Sequence, residues 1–463
     1  MKQTILFYIP PWIEQDRPEL NRHWVAFTLR MSNILKDYHV EVLLGEYQYR
    51  EITKKKLENT HARFHSIDNK EISNITDDYK MVHRLYEDAV DPTVQAKLIG
   101  LIRSKLRSIH KPDYVFFYMN PVGLLKNLYS DATFIACESG GLSSPFPKFW
   151  YLDLSGDLPC SYLLENANHI RTGRATSDQR AFCQSVRKTY HKVLPKGRDI
   201  MNIKRKARAF EFNVLLPLQV SNIYSLDLTC RFKSQFHYLK FVLDNIDERI
   251  GVVVSEHPYF PQFSKSWVKY FETLYPNFIY SNNTQLFHSS SQILIEHVDA
   301  VLNVSSTVAF LSFLWEKPLI SLGENYFTTL SDKQGLEGLF EYLQSPDTID
   351  KDFVLYSLLN RYWVSDTALF ESDYLARLLE KSTDRTSCQF GFYDELCDPD
   401  TNLELILKTL HENAEARPKT FDSEKLKRFP RIPIIVGHFT DNRTSIRTVA
   451  QKIKQICTKA TKQ

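Results

Sequence analysis

The stretch Ile250-Gly251-Val252-Val253-Val254-Ser255-Glu256-His257-Pro258 decides the fold. Its apolar, β-branched run has no polar alternation, so it predicts a strand buried on both faces, as in a parallel sheet. Pro258 then stops the sheet, because proline has no N–H to donate to a ladder. A second run, Val298-Asp299-Ala300-Val301-Leu302, has the same character and is followed by Asn303-Val304-Ser305-Ser306-Thr307. Both polar clusters therefore fall at the carboxyl ends of strands, where open α/β sheets bind ligands. A protonatable imidazole and a group of hydroxyls converging on one edge suit a phosphate.

Working outward, the same grammar repeats. Ile5 to Ile9, Val40 to Leu44, Tyr114 to Tyr118 and Thr133 to Cys137 read as buried strands, with helical periods over 21–35 and 97–109 between them. The polar region 47–91 reads as surface helices and loops. After a basic, helix-prone connection over 178–208 the strands restart at Phe212-Asn213-Val214-Leu215-Leu216-Pro217, and continue through Phe278-Ile279-Tyr280 and Leu319-Ile320-Ser321-Leu322. Strands alternating with helices in two successive blocks predict two Rossmann-like domains. The expected division is 1–205, 206–345 and a helical region with a basic tail over 346–463. Met1 to Pro11 reads as a first strand rather than a leader, since its apolar core is short and no small-residue cleavage site follows.

Composition narrows the classes. The 463 residues call for more than one core, and 43% hydrophobic with 24% charged residues is a globular balance. A net charge of +3 gives no field that argues for nucleic acid. No apolar run reaches the roughly 18 residues of a membrane span. Seven scattered cysteines without a C-x-x-C pair fit reduced thiols and a cytoplasmic location, with neither zinc site nor disulfide frame. Neither a dinucleotide fingerprint nor a P-loop is present.

The residues that could carry chemistry fall into three groups. His257, with Glu256 and Pro258, could bind a phosphate or assist its departure. Ser305, Ser306 and Thr307, with Asn303 before them, open a segment of helical length from Val308 to Trp315; they could cap it, hold phosphate oxygens, or both. Gln219 and Asn222, after the 212–217 strand, could touch phosphate or sugar, or simply form a turn. In the first block, Glu138-Ser139-Gly140-Gly141 follows the 133–137 strand, and its glycines predict a sharp turn that exposes Glu138. A carboxylate there could act as general base or as nucleophile at an anomeric carbon. Asp153 to Gly156 and Ser161-Tyr162 read as a second loop near the same place.

The ordered series Glu138-Ser-Gly, Pro217-Leu-Gln-Val, Ser255-Glu-His-Pro, Asn303-Val-Ser-Ser-Thr-Val and Lys317-Pro-Leu-Ile-Ser-Leu-Gly323 resembles the bacterial capsule-polysaccharide synthesis family, which includes Kdo transferases. Bacterial sialyltransferases share the His-Pro and Ser/Thr logic more distantly. The resemblance implies a GT-B fold, two Rossmann-like domains facing across a cleft. It further implies a glycosyltransferase using a CMP-activated sugar acid without metal or other cofactor. By position, His257 and Ser305–Thr307 would hold the donor phosphate, and Glu138 would open the family's acidic motif. Two positions depart: Ser139 stands at the motif's second acidic residue, and Leu311 where the family carries a Glu for ribose hydroxyls. A UDP-sugar or phosphoribosyl pyrophosphate donor, or an epimerase or hydrolase on the same scaffold, therefore stays open. The implied partners are a sugar donor and a glycan or glycolipid acceptor. The basic, amphipathic 443–462 segment could rest on an anionic membrane, placing the enzyme at the inner face of the inner membrane.

Overall fold

The computed structural model describes residues 2–11, 22–52, 58, 60–76, 91–107, 111–118, 123–156, 160–194, 200–219, 229–257, 263–281, 290–383 and 389–416. In chain order the first strands are β1 (Thr4–Tyr8), β2 (His39–Gly45), β3 (Arg63–Ile67), β4 (Tyr114–Phe117), β5 (Thr133–Ser139) and β6 (Phe149–Asp153). There follow β7 (Phe212–Pro217), β8 (Ile250–Ser255), β9 (Phe278–Ile279), β10 (Ala300–Asn303), β11 (Leu319–Ser321), β12 (Lys333–Gln334) and β13 (Val364–Ser365). They form two sheets, β13-β6-β5-β4-β1-β2-β3 and β12-β11-β10-β7-β8-β9.

The first sheet is parallel from β3 to β5, with β6 antiparallel to β5 and to β13. The second is parallel throughout. In both, the chain runs outward over three strands, then crosses back to the far side of its first strand. That is the doubly wound order, with switch points between β1 and β4 and between β7 and β10. The α/β class and the two Rossmann-like sheets expected from the sequence are therefore present.

Period-two geometry explains why the second sheet reads as continuous hydrocarbon. Val214, Leu216, Val252, Val254, Leu302 and Ile320 pack on one side against Tyr238, Leu239 and Val242 of the helix Gln235–Asn245. The alternate residues Leu215, Val253 and Val301 are equally buried, on the other side.

The chain groups into two compact units whose segments differ from a division at 205 and 345. One comprises residues 1–140, 148–166 and 360–398; the other 141–147, 167–359 and 399–463. The helices of the expected connection, Ser177–Val193 and Met201–Ala207, lie in the second unit. Charge pairs hold the first of them: the buried Arg187 and the half-exposed Arg180 both bond Asp352 of the helix Lys351–Ser357, and Arg180 also bonds Asp350 at 2.7 Å. Residues 360–398 join the first unit through β13 on β6 and through Tyr362, whose ring stacks on Tyr151 at 5.2 Å.

Two strands add to the expected set, one of them where surface helices and loops were expected. β3 occupies the polar 47–91 region, and β6 precedes the Asp153 loop. The expected 308–315 helix is a 3-10 turn, Thr307–Phe310, running into Leu311–Leu314. The tail 417–463, including the basic 443–462 segment, lies outside the described residues, as do Pro258 and Asn222. Among the described residues, no helix is long and apolar enough to cross a membrane.

Candidate functional site

The second sheet places three polar loop starts side by side. β8 leads into Glu256-His257, β7 into Leu218-Gln219, and β10 into Val304-Ser305-Ser306, in the spatial order β8-β7-β10. With neighbouring strands about 4.8 Å apart, the His257 and Ser305 backbones are on the order of 10 Å apart, across the switch point. Side chains reaching inward from each end can share one phosphate group at that separation.

Gln219 and Ser305 tie the two central loops reciprocally. The Ser305 hydroxyl donates to Gln219 Oε1 at 2.8 Å, and Gln219 Nε2 donates to the Ser305 carbonyl at 3.2 Å. The Gln219 N–H in turn donates to the buried Gln235 Oε1 at 2.8 Å, a support with no local signal in the residues around it. Ser305 thus spends its proton inside the protein and keeps acceptor lone pairs. Ser306 is the reverse case. Its Oγ accepts from Val308 N–H at 3.3 Å as the helix cap, so its own proton is left to donate. Asn303, fully buried at the end of β10, accepts the Ser306 N–H at 2.9 Å and fixes that loop. Thr307 is exposed beside it.

His257 is half-buried, and the two residues before it are braced. Ser255 and Ser291 share a hydroxyl hydrogen bond of 2.8 Å. Glu256 is buried and accepts from Phe263 N–H at 2.8 Å and from the Tyr280 hydroxyl at 2.5 Å. Burial, and then the Glu256 charge, push the Tyr280 hydroxyl pKa well up, so the phenol stays a donor. Glu256 is therefore a brace between the ends of β8 and β9, with both oxygens engaged, rather than an open ligand.

Gly323, the last residue of the series quoted above, sits where a Cβ would lie 2.7 Å from the Val304 carbonyl oxygen and 3.1 Å from that of Thr229. Only a bare Cα lets the loop after β11 approach the β10 loop so closely. Gly323→Ala is expected to lose about 1–3 kcal/mol of stability by this overpacking. A urea midpoint within error of wild type would contradict that.

In the first unit, Glu138 lies in β5 itself, half-buried, opposite Tyr151 of β6, and not on an exposed turn. The reason is local: Gly140 N–H bonds the Phe149 carbonyl at 2.8 Å, and a Cβ on Gly140 would lie 2.4 Å from that of Phe149. The glycine permits close strand pairing and extends the ladder past Glu138. Glu138 Oε1 accepts from Ser139 N–H at 2.7 Å. The Lys148 ammonium stands 3.8 Å over the Trp150 ring. Burial lowers its pKa, against the opposing pull of Asp366 and Glu138. Lys148 is thus a cation near the carboxylate that motif reading did not find.

The Asp153 loop is structural. Asp153 is fully buried and accepts from Ser155 N–H at 2.8 Å, Tyr162 N–H at 2.9 Å and the Tyr362 hydroxyl at 2.6 Å. Burial pushes its carboxyl up to about 7 against those donors. A raised folded-state value means the native state binds this proton more tightly than the unfolded chain. Its contribution is fully present below about pH 4 and is lost as pH rises toward 7. Asp153→Asn is expected to flatten that part of the stability profile, read by urea unfolding from pH 4 to 8.

Among the described residues no group of three or more His, Cys, Asp or Glu gathers as a metal site.

Comparison with known proteins adds the following. Among curated proteins, none matches this chain in sequence. Thermosulfurimonas dismutans KpsC, a beta Kdo 2,7 transferase, is similar in structure at 15% identity and a TM-score of 0.39, over 61% of this chain and 88% of that one. Its beta Kdo 2,4 transferase counterpart has 14% identity and a TM-score of 0.34, over 55% and 81%. UDP-GlcNAc 2-epimerase from Neisseria meningitidis has 13% identity and a TM-score of 0.27, over 89% and 100%. The family described as capsule polysaccharide biosynthesis protein matches residues 167–360. That span almost coincides with the 167–359 segment of the second unit and contains Gln219, His257 and Ser305–Thr307. Residues 167–360, which contain the whole second sheet and the loops at its switch point, are thus the part of the chain similar to the capsule polysaccharide biosynthesis family.

Proposed function

We propose that the protein is a glycosyltransferase of bacterial capsule or lipopolysaccharide synthesis, moving Kdo or a related sugar from a CMP-sugar to a glycan or glycolipid acceptor. One observation carries the reading: within the family-matched segment, His257, the Gln219–Ser305 pair and the free Ser306 proton stand at adjacent strand ends around the β7/β10 switch point. In this reading His257 and the Ser306 hydroxyl bind the donor phosphate, and His257 assists its departure. Glu138 acts as base on the acceptor hydroxyl, or as nucleophile. The catalysis needs positioning and charge stabilisation, with no cofactor beyond the activated sugar. Membrane contact through the basic tail belongs to the same proposal.

A second reading is favoured by Leu311, an apolar residue buried at 5% exposure where a ribose-gripping acid is implied. It keeps a UDP-sugar or phosphoribosyl pyrophosphate donor open, and with them an epimerase or hydrolase that forms product without acceptor.

Thermal shifts with CMP, UDP and phosphoribosyl pyrophosphate separate the donors. A ligand at a hundred times its Kd stabilises by about 2.7 kcal/mol. CMP stabilisation supports the first reading; a shift with UDP or phosphoribosyl pyrophosphate alone supports the second. Glu138→Gln is expected to slow transfer by about 100-fold or more while nucleotide binding is unchanged. Equal turnover in that variant would remove Glu138 from the chemistry.

A further inference from the structure

The first unit carries a hollow of about 640 Å³ at the amino ends of β2 and β3. Glu138 stands at the other end of that sheet, at the carboxyl end of β5. The size is that of a small-molecule site, roughly 300–1,000 Å³. Three segments far apart in sequence supply its cations, Lys2 before β1, Lys36 before β2 and Arg63 at the start of β3, with the imidazoles of His39 and His61 beside them. Two carboxylates oppose them, Glu41 and Glu58. Glu41 is 8% exposed and already held by His65 Nε2 at 2.7 Å, with Arg63 at 3.8 Å. The Arg63 side chain stays 63% exposed, and Lys2, Lys36, His39 and His61 are exposed as well.

The walls are pinned rather than loose. Lys2 Nζ donates to the Lys36 carbonyl at 3.1 Å, His61 Nε2 lies 3.2 Å from the Leu35 carbonyl, and the Thr60 and Ser32 hydroxyls bond at 2.9 Å. A second hollow of about 750 Å³ adjoins the first, shares Lys2 and Tyr38 with it, and is lined by Leu35, Leu375 and Leu379. The half-buried Tyr38 thus lines both hollows, and Gln3, Asp37 and Ser372 line the second beside its leucines. An aromatic ring beside cations, an amide (Asn33) and a hydroxyl (Thr60) matches a sugar ring that bears a carboxylate. The ring offers its C–H face to the aromatic, its hydroxyls to the polar groups and its acid to the cations.

We propose that this hollow binds an acidic saccharide chain, at the pole of the sheet opposite Glu138. The choice of a saccharide over another polyanion rests on the polysaccharide reading above. A chain held there would stay on the enzyme between successive encounters with a donor, raising its effective concentration at the reacting face.

Calorimetric titration of the full chain with an octasaccharide of galacturonic acid tests it. Wild type is expected to bind, and neutral maltooctaose is not. The double variant Lys36→Gln/Arg63→Gln, which changes two exposed side chains, is expected to bind at least tenfold more weakly. Absence of binding by wild type, equal binding by the variant, or equally tight binding of a polyglutamate peptide would each overturn the proposal. CMP and UDP thermal shifts, run on both proteins, report on the second unit. Their loss in wild type would count against the donor reading and leave the hollow standing.

Discussion

His257→Ala is expected to abolish sugar transfer, lowering kcat/KM by about 100- to 10,000-fold, with the fold intact. The imidazole follows the carboxyl end of β8, beside residues that have partners of their own. Ser255 is fixed by Ser291, and Glu256 by Phe263 and Tyr280. Truncation at 257 therefore removes the proton and the charge while these braces remain. A transition state that places negative charge on a departing phosphate loses its partner, whereas the ground state loses less. The rate should fall more than nucleotide affinity. Transfer kinetics and a denaturation midpoint measured on the same preparation check both halves. Turnover at the wild-type rate would take His257 out of the mechanism.

Asp332→Ala is expected to be the most destabilising single change, at about 3–5 kcal/mol. Asp332 lies just before β12, and its side chain is fully buried. Its carboxylate accepts Leu319 N–H at 2.7 Å and Ile349 N–H at 2.9 Å, and pairs with the Lys351 ammonium. Removing it strands two backbone donors and a buried cation at once. Burial already lowers the Lys351 pKa, and its partner's charge is what holds the proton on. Replacing both residues, as Asp332→Leu with Lys351→Met, is expected to recover much of the loss, because no charge is then left unpaired. A single-variant loss below about 1 kcal/mol by denaturant titration would show that the pair does not anchor β11 and β12.

The contrast between these residues marks what motif reading can reach. His257, Ser306 and Gln219 stood out because polar residues directly after apolar runs are conspicuous, and strand ends of parallel sheets bind ligands. Glu256 shares that position and reads from the sequence as part of the site, but both its oxygens are taken by Phe263 and Tyr280. Nothing in the local sequence announces those bonds, since they join chain segments that pairing of β8 with β9 brings together. Asp332 and Lys351 were equally silent, because a buried ion pair looks like two surface charges until the fold closes over it. β3 escaped notice because an edge strand carrying Arg63, His65 and Ser66 has no apolar signature of its own.

By itself the sequence determined the class of fold: continuous apolar runs can be satisfied only inside a parallel sheet covered on both faces, and their polar ends mark where a ligand binds. The tertiary structure alone decided the grouping of the chain, since two-residue strands such as β13 exist only by pairing with a partner already in place. It alone also decided which polar side chains remain open to a ligand. A hydrogen bond between distant segments depends on where folding puts the second atom, and local sequence does not encode that position.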